Sequence, residues 1–82
     1  MPMTVFDPES STPMWRQIYA ILRERITDGT YPPGRMLPSI EFIRQEYDVS
    51  RNTARQVLDA LVDDGYAYTE PGKGTYVKRP EA

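Results

Sequence analysis

Apolar residues recur at helical spacing in three segments of the chain, which places them on one face of an α-helix. In the first segment, from Met14 to Asp28, they are Trp15, Ile18, Tyr19, Leu22 and Ile26. In the second and third segments they are Phe42, Ile43 and Tyr47, followed by Ala54, Val57, Leu58, Leu61 and Val62. The pattern predicts three amphipathic helices.

Residues that favour helix ends bound each of these segments. The predicted N-caps are Ser11 or Thr12, Ser39 and Ser50, with Pro13 in the first turn of the first helix. Gly29 and Gly65 end the first and third helices, because glycine readily adopts the left-handed conformation found after helix C-termini. Only residues 48–50 separate the second helix from the third, so these two helices form a helix-turn-helix.

β-Prone residues follow the third helix in two short runs. Residues 66–69 and 75–77 are rich in aromatic residues and threonine, and Glu70-Pro71-Gly72-Lys73-Gly74 separates them. This arrangement predicts a two-stranded hairpin with a glycine-rich tip. The expected fold is mainly α with a small β-hairpin: a winged helix-turn-helix of three helices and a two-stranded wing.

The length of 82 residues allows one folded domain, and 39% hydrophobic with 27% charged residues is typical of globular rather than disordered chains. We expect an N-terminal extended tail over residues 1–12, with a short strand at 4–6. The winged helix-turn-helix domain is expected over residues 13–79, followed by a C-terminal end at 80–82.

The chain contains no cysteine and no histidine, which excludes disulfides, thiolate nucleophiles, zinc fingers and imidazole bases. The acidic pairs Asp63-Asp64 and Glu46 with Asp48 lack the spacing of metal ligands and are interpreted as solvated charge. We therefore predict no enzyme activity, no metal and no cofactor.

No apolar run approaches the ~20 residues that a membrane-spanning helix needs. The first ten residues, MPMTVFDPES, have neither the basic nor the apolar region of a signal peptide. We therefore expect a cytoplasmic protein that does not bind membranes.

The net charge of −2 hides an uneven distribution. Residues 49–58 and 71–79 contain five of the ten Lys and Arg residues and none of the twelve Asp and Glu residues. The remaining 63 residues therefore carry a charge of −7. Localised basic charge of this kind favours a nucleic-acid partner despite the negative total.

The third helix presents a polar face that changes along its length. With Ala54 in the core, Asn52, Gln56, Asp59 and Asp63 point outward, and Arg51 and Arg55 flank them. The first half therefore offers the side chains that pair with guanine and adenine edges, whereas the aspartates of the second half would repel phosphates. An ordinary solvated helix face is the alternative. Local energetics favour a partner, because Arg51 opposes the helix dipole and also repels Arg55.

The predicted wing tip adds a second cationic element. Lys73 lies between Gly72 and Gly74, where it can reach a phosphate or a minor groove. A soluble hairpin tip is the simpler interpretation of these three residues taken alone. Six of the nine aromatic residues are interpreted as core rather than as platforms for stacking bases: Trp15, Tyr19, Tyr47, Tyr66, Tyr68 and Tyr76.

Several segments between residues 13 and 77 form an ordered set. They are Pro13-Met14-Trp15-Arg16-Gln17-Ile18, Gly29 with Pro33-Gly34, Leu37-Pro38-Ser39, Val49-Ser50-Arg51-Asn52-Thr53 and Gly72-Lys73-Gly74-Thr75-Tyr76-Val77. In order and spacing they resemble the DNA-binding domain of the GntR family of bacterial transcription regulators. The resemblance implies a winged helix-turn-helix that binds a short palindromic operator, usually as a dimer and usually to repress transcription.

Site residues carried over from the family by position are Ser50, Arg51, Thr53 and Arg55 in the recognition helix, Ser39 at the start of the second helix, and Gly72 at the wing tip. Three residues depart from the family pattern. Glu41 stands where many members have a DNA-contacting arginine, Arg44 replaces a small packed residue, and Asp48 replaces a turn glycine. Family members normally continue into a C-terminal domain that binds a metabolite and holds the dimer, whereas the 82 residues of this sequence extend only just past the predicted wing. We therefore expect no small-molecule effector site in this chain, and a homodimer that forms mainly on DNA.

Together these observations predict a sequence-specific regulator of transcription, a repressor, that places the helix at 51–64 in the major groove and uses the wing tip at 71–74. The candidate DNA-binding residues are Ser39, Ser50, Arg51, Asn52, Thr53, Arg55, Gln56, Gly72, Lys73 and Gly74. The alternative is a winged-helix protein-interaction module without direct DNA binding, for which the acidic remainder of the chain would suit a basic partner.

Overall fold

A computed structural model describes residues 11–79. Three helices precede a two-stranded antiparallel sheet, as the sequence predicts. The elements are α1 (Met14–Thr27), α2 (Ile40–Tyr47), α3 (Arg51–Asp63), β1 (Ala67–Glu70) and β2 (Gly74–Val77). The strand expected at 4–6, most of the tail and residues 80–82 lie outside the described residues.

The start of α1 differs from the prediction. Its N-cap is Pro13, and the Pro13 carbonyl accepts hydrogen bonds from the backbone amides of Arg16 and Gln17 at 3.1 and 3.2 Å. The assignment of Ser11 or Thr12 as the cap was wrong. Pro13 is extended, with φ −54° and ψ 145°, so the helix begins directly after it.

The predicted caps of α2 and α3 are confirmed. The Ser39 hydroxyl accepts a hydrogen bond from the Phe42 amide, and the Ser50 hydroxyl accepts one from the Thr53 amide, both at 3.1 Å. Asp48 ends α2 in the left-handed conformation, at φ 55° and ψ 54°. This aspartate therefore makes the tight turn that glycine makes most easily, and α3 can begin three residues later.

The wing has a third backbone segment that the sequence analysis missed. β2 pairs with β1 on one edge, with Ala67 opposite Val77. On its other edge, residues 34–37 donate to and accept from β2 through bonds such as the Leu37 amide to the Thr75 carbonyl and the Val77 amide to the Arg35 carbonyl, both 2.8 Å. The segment preceding α2 is thereby tied to the wing.

The core lies between the three helices and the inner side of the wing. Its fully or nearly fully buried members are Ile18, Leu22, Leu37, Ile43, Ala54, Val57, Leu58, Leu61, Ala67 and Val77. Phe42 was predicted to share the apolar face of α2, and this was wrong: its side chain is 53% exposed, whereas Ile43 is completely buried.

Four of the aromatic residues predicted to be core pack against it: Trp15, Tyr19, Tyr47 and Tyr66. Tyr68 and Tyr76 instead stack on each other across the wing, with ring centroids 5.7 Å apart.

The Tyr19 hydroxyl donates to the Asp64 carboxylate at the end of α3. Burial raises the pKa of Tyr19, and the Asp64 carboxylate raises it further. These contacts hold α1 against α3.

Within residues 11–79, no helix combines the length and the apolar character needed to cross a membrane. In the same residues, acidic side chains do not gather in groups of three that could hold a metal ion.

Candidate nucleic-acid interface

The first two turns of α3 form an exposed polar face. Arg51, Asn52, Arg55 and Gln56 are all exposed, whereas Ala54, Val57, Leu58 and Leu61 are buried on the opposite side of the helix. The apolar residues therefore fix the rotation of α3 about its axis and turn the two arginines outward. Asp59 and Asp63 continue the exposed face toward the end of the helix, which closes with Asp63 rather than with the predicted Asp64.

Ser50 and Thr53 hold the start of this helix together. Besides accepting from the Thr53 amide, the Ser50 hydroxyl donates to the Thr53 hydroxyl at 3.1 Å. Both side chains are thus fixed at the helix N-terminus, where unpaired backbone amides and the helix dipole favour an anion. Ser39 has the corresponding position at the start of α2.

Glu41 connects the starts of α2 and α3, a contact that the sequence analysis did not identify. Its Oε1 lies 3.8 Å from Arg51 Nη2, and its Oε2 lies 3.6 Å from Arg44 Nη1. The same Oε2 accepts a hydrogen bond from Gln45 Nε2 at 3.1 Å. Glu41 therefore places a negative charge beside a candidate DNA-contacting arginine.

The wing tip is a turn that ends at Gly74. The Lys73 amide donates to the Glu70 carbonyl at 2.9 Å, and the Lys73 side chain is exposed. Gly72 and Gly74 have positive φ angles of 78° and 146°, which favour glycine. A Cβ atom on Gly74 would also lie 3.1 Å from Met36 Sδ.

An open groove of about 650 Å³ runs between the start of α2 and the wing. It brings Ser39 and Glu41 together with Lys73 and Gly74. The candidate residues of α3 do not line it, and the Glu41–Arg51 pair joins the two groups. Among residues 11–79, Arg55 forms no ion pair, so its guanidinium is available to a partner.

Residues 15–77 match the family described as bacterial regulatory proteins, gntR family. The chain is 36% identical over 73 residues to the HTH-type transcriptional repressor NagR of Bacillus subtilis strain 168. That alignment covers 89% of this chain and 30% of NagR. The chain therefore spans less than a third of this relative's length.

Solved structures show the same architecture. YtrA from Sulfolobus acidocaldarius, a GntR-family transcription factor, matches with a TM-score of 0.81 and 32% identity over 99% of this chain and 84% of that chain. The DNA-binding domain of AraR in complex with operator ORE1 matches with a TM-score of 0.78 and 29% identity over 89% of both chains. The expected winged helix-turn-helix is thus confirmed, and with the family match over residues 15–77 it follows that this chain belongs to the gntR family of bacterial regulatory proteins.

Proposed function

We propose that this chain is a sequence-specific double-stranded-DNA-binding module of a transcription regulator. The observation that carries the proposal is the exposed face of α3, which offers two arginines, an asparagine and a glutamine in its first two turns and aspartates only beyond them. Arginine pairs bidentately with guanine, and asparagine and glutamine with adenine, in the major groove. The helix would enter that groove by its N-terminal half, as recognition helices do.

The candidate residues divide into two roles in this proposal. Arg51, Asn52, Arg55 and Gln56 contact base edges. Ser39, Ser50, Thr53, Gly72, Lys73 and Gly74 fix the register through the sugar-phosphate backbone or the adjacent minor groove. Support comes from the position of the two serines at helix starts and from the exposure of Lys73 at the wing tip. The operator complex of the AraR DNA-binding domain supports DNA as the partner.

Repression is the regulatory outcome that we propose, because a bound module blocks polymerase most simply and because relatives such as NagR are named repressors. Catalysis has no part in this proposal, since the chain has neither cysteine nor histidine.

Selection of sites from random duplex DNA, followed by a titration with salt, tests the function directly. The DNA-binding proposal expects an enriched palindromic motif and an affinity that falls log-linearly with salt concentration. Failure to enrich any motif, with weak and salt-insensitive binding, would contradict it and would favour the alternative of a protein-interaction module.

Lys73→Ala should weaken binding to every duplex, whatever its sequence, and lower the salt slope by about one phosphate contact. The reason is that an ammonium group at an exposed turn attracts phosphates without reading bases. Lys78→Ala is a suitable control, because Lys78 is also exposed but follows β2 rather than lying at the tip. A Lys73→Ala variant that loses affinity for one sequence only would assign Lys73 to base recognition instead.

Free protein should be monomeric or only weakly dimeric, with two copies pairing on DNA. Among residues 11–79, the exposed large apolar side chains are Met14, Met36, Phe42 and Tyr68. Four partly exposed side chains offer less apolar area than the about 1,000 Å² or more that each subunit of an obligate homodimer buries. Sedimentation at micromolar concentration should therefore report monomer, whereas a palindromic duplex should bind two copies, each in one half-site. A stable dimer without DNA would overturn this expectation.

A further inference from the structure

Glu41 is a negatively charged residue on a surface whose other candidate residues are polar or positively charged. Its side chain is 52% exposed, and that of its partner Arg51 is 65% exposed. Both ion pairs found among residues 11–79 use this one carboxylate. Arg44 and Gln45, on the next turn of α2, both approach Oε2, which leaves Oε1 directed toward Arg51 of α3.

Folding stability does not account for this arrangement. Ion pairs between exposed side chains contribute little net stability, because the entropy lost in holding two long side chains together offsets most of their attraction. The first turn of α2 favours any acidic residue through the helix dipole, but this effect does not require a link to α3. The link has a clearer consequence for Arg51, whose long side chain would otherwise sample many rotamers.

We propose that Glu41 determines DNA specificity through Arg51, as a positioning residue rather than as a base contact. The carboxylate restricts the Arg51 guanidinium to orientations from which it can reach a base edge. It also repels phosphates at the same surface. The inference rests on the proposed function, since it requires that the start of α3 faces DNA.

The two effects act differently on operator and on non-specific DNA. Non-specific binding is almost entirely electrostatic, so an added negative charge weakens it without compensation. At the operator, the cost of that charge is offset, because an Arg51 held in place loses less freedom when it pairs bidentately with a base. Glu41 therefore raises the ratio of operator to non-specific affinity.

Glu41→Gln is the first test, because it removes the charge and nearly preserves the shape. The probes are a duplex enriched from the random library and a scrambled duplex of equal composition. Loss of one negative charge should raise affinity for the scrambled duplex about threefold, which is the Coulomb effect in water if a phosphate comes within about 6 Å of residue 41. The operator-to-scrambled ratio should fall. Glu46→Gln is the matched control: it removes the same charge from an exposed residue of α2 for which no ion pair is found within residues 11–79.

Glu41→Asp separates positioning from charge. It keeps the negative charge at the start of α2 but withdraws the carboxylate by one methylene from Arg51. Scrambled-duplex affinity and the salt slope should stay at wild-type values, whereas the affinity ratio should fall. In an Arg51→Gln background, Glu41→Asp should no longer change the ratio. Thermal unfolding of each variant verifies that it is folded.

A ratio that Glu41→Asp leaves at the wild-type value would overturn the inference while leaving DNA binding intact. Equal gains in operator and scrambled affinity for Glu41→Gln would also overturn it, since they would show simple repulsion. If wild-type protein itself does not discriminate between the two duplexes, the proposed function fails, and this inference fails with it.

Discussion

Arg55→Ala should lower operator affinity by about 1–3 kcal/mol, or roughly five- to 160-fold, while affinity for scrambled DNA falls much less. Arg55 is exposed on the second turn of α3, and the buried Ala54 and Leu58 on either side hold the helix in a fixed rotation. Since Arg55 forms no ion pair within residues 11–79, its removal should take away the proposed base contact without breaking an internal ion pair. Competition binding with single-base variants of the operator should show relaxed preference at one position per half-site.

Asp59→Ala provides the control for Arg55. Asp59 is exposed one turn further along the same helix, and its removal should maintain or slightly raise affinity, because an aspartate near DNA repels phosphates. Both variants should unfold at the wild-type temperature. An Arg55→Ala protein that binds the operator as tightly as wild type would remove Arg55 from the interface.

Ile43→Ala should lower the free energy of unfolding by about 2–5 kcal/mol, which is the range for truncating a large aliphatic core residue. Ile43 is completely buried, and the other residues of α2 are at least partly exposed. The substitution would leave a cavity where α2 packs against the other helices. Since small domains have only about 5–15 kcal/mol of stability, urea unfolding should show a large fall in midpoint.

Phe42→Ala is the matched control for this prediction. Phe42 precedes Ile43 and is the larger residue, but more than half of its side chain is exposed. Its removal should change stability by no more than about 0.5 kcal/mol, the usual size of a surface effect. Equal losses from the two variants would contradict the packing of α2 described above.

The neighbouring pair Phe42 and Ile43 also shows where prediction from sequence ended. The spacing of apolar residues identified α2, because helix periodicity is a local property. It could not decide which of two adjacent apolar residues faces the core, since an eight-residue helix that buries one narrow side leaves the other in water. The larger residue, Phe42, proved to be the exposed one. Size and hydrophobicity alone do not report the angle at which α2 meets its neighbours.

Local hydrogen bonding was the most predictable part of the structure. Ser39 and Ser50 cap α2 and α3 as expected, because a serine hydroxyl and an amide three residues later need only the nearby chain. The N-cap of α1 is Pro13, which has no side-chain cap hydrogen bond. The start of α1 is set there by the extended backbone of Pro13. Contacts between distant segments were missed, including Glu41 with Arg51 and residues 34–37 with β2. These contacts depend on how the helices and strands pack against one another, which local sequence patterns do not specify.

Exposure of the candidate site was predicted well from α3 alone. Once Ala54 was assigned to the core, the directions of Arg51, Asn52, Arg55 and Gln56 followed from the helix geometry, and all four are exposed. The internal partner of Arg51 did not follow, since it belongs to another helix. That these residues contact bases and phosphates stays a prediction, which the Arg55 and Lys73 variants test.

Hydrogen bonds on both edges of β2 have a mechanical consequence. The hairpin is not a free arm, because residues 34–37 join it on the side opposite β1. Leu37, the last residue of this hydrogen-bonded segment, is separated from the Ser39 cap of α2 by a single proline. A load applied to the tip at Lys73 would therefore be transmitted through the sheet to the first turn of α2. The wing tip and the start of α2 would therefore move together when a ligand binds, rather than independently of each other.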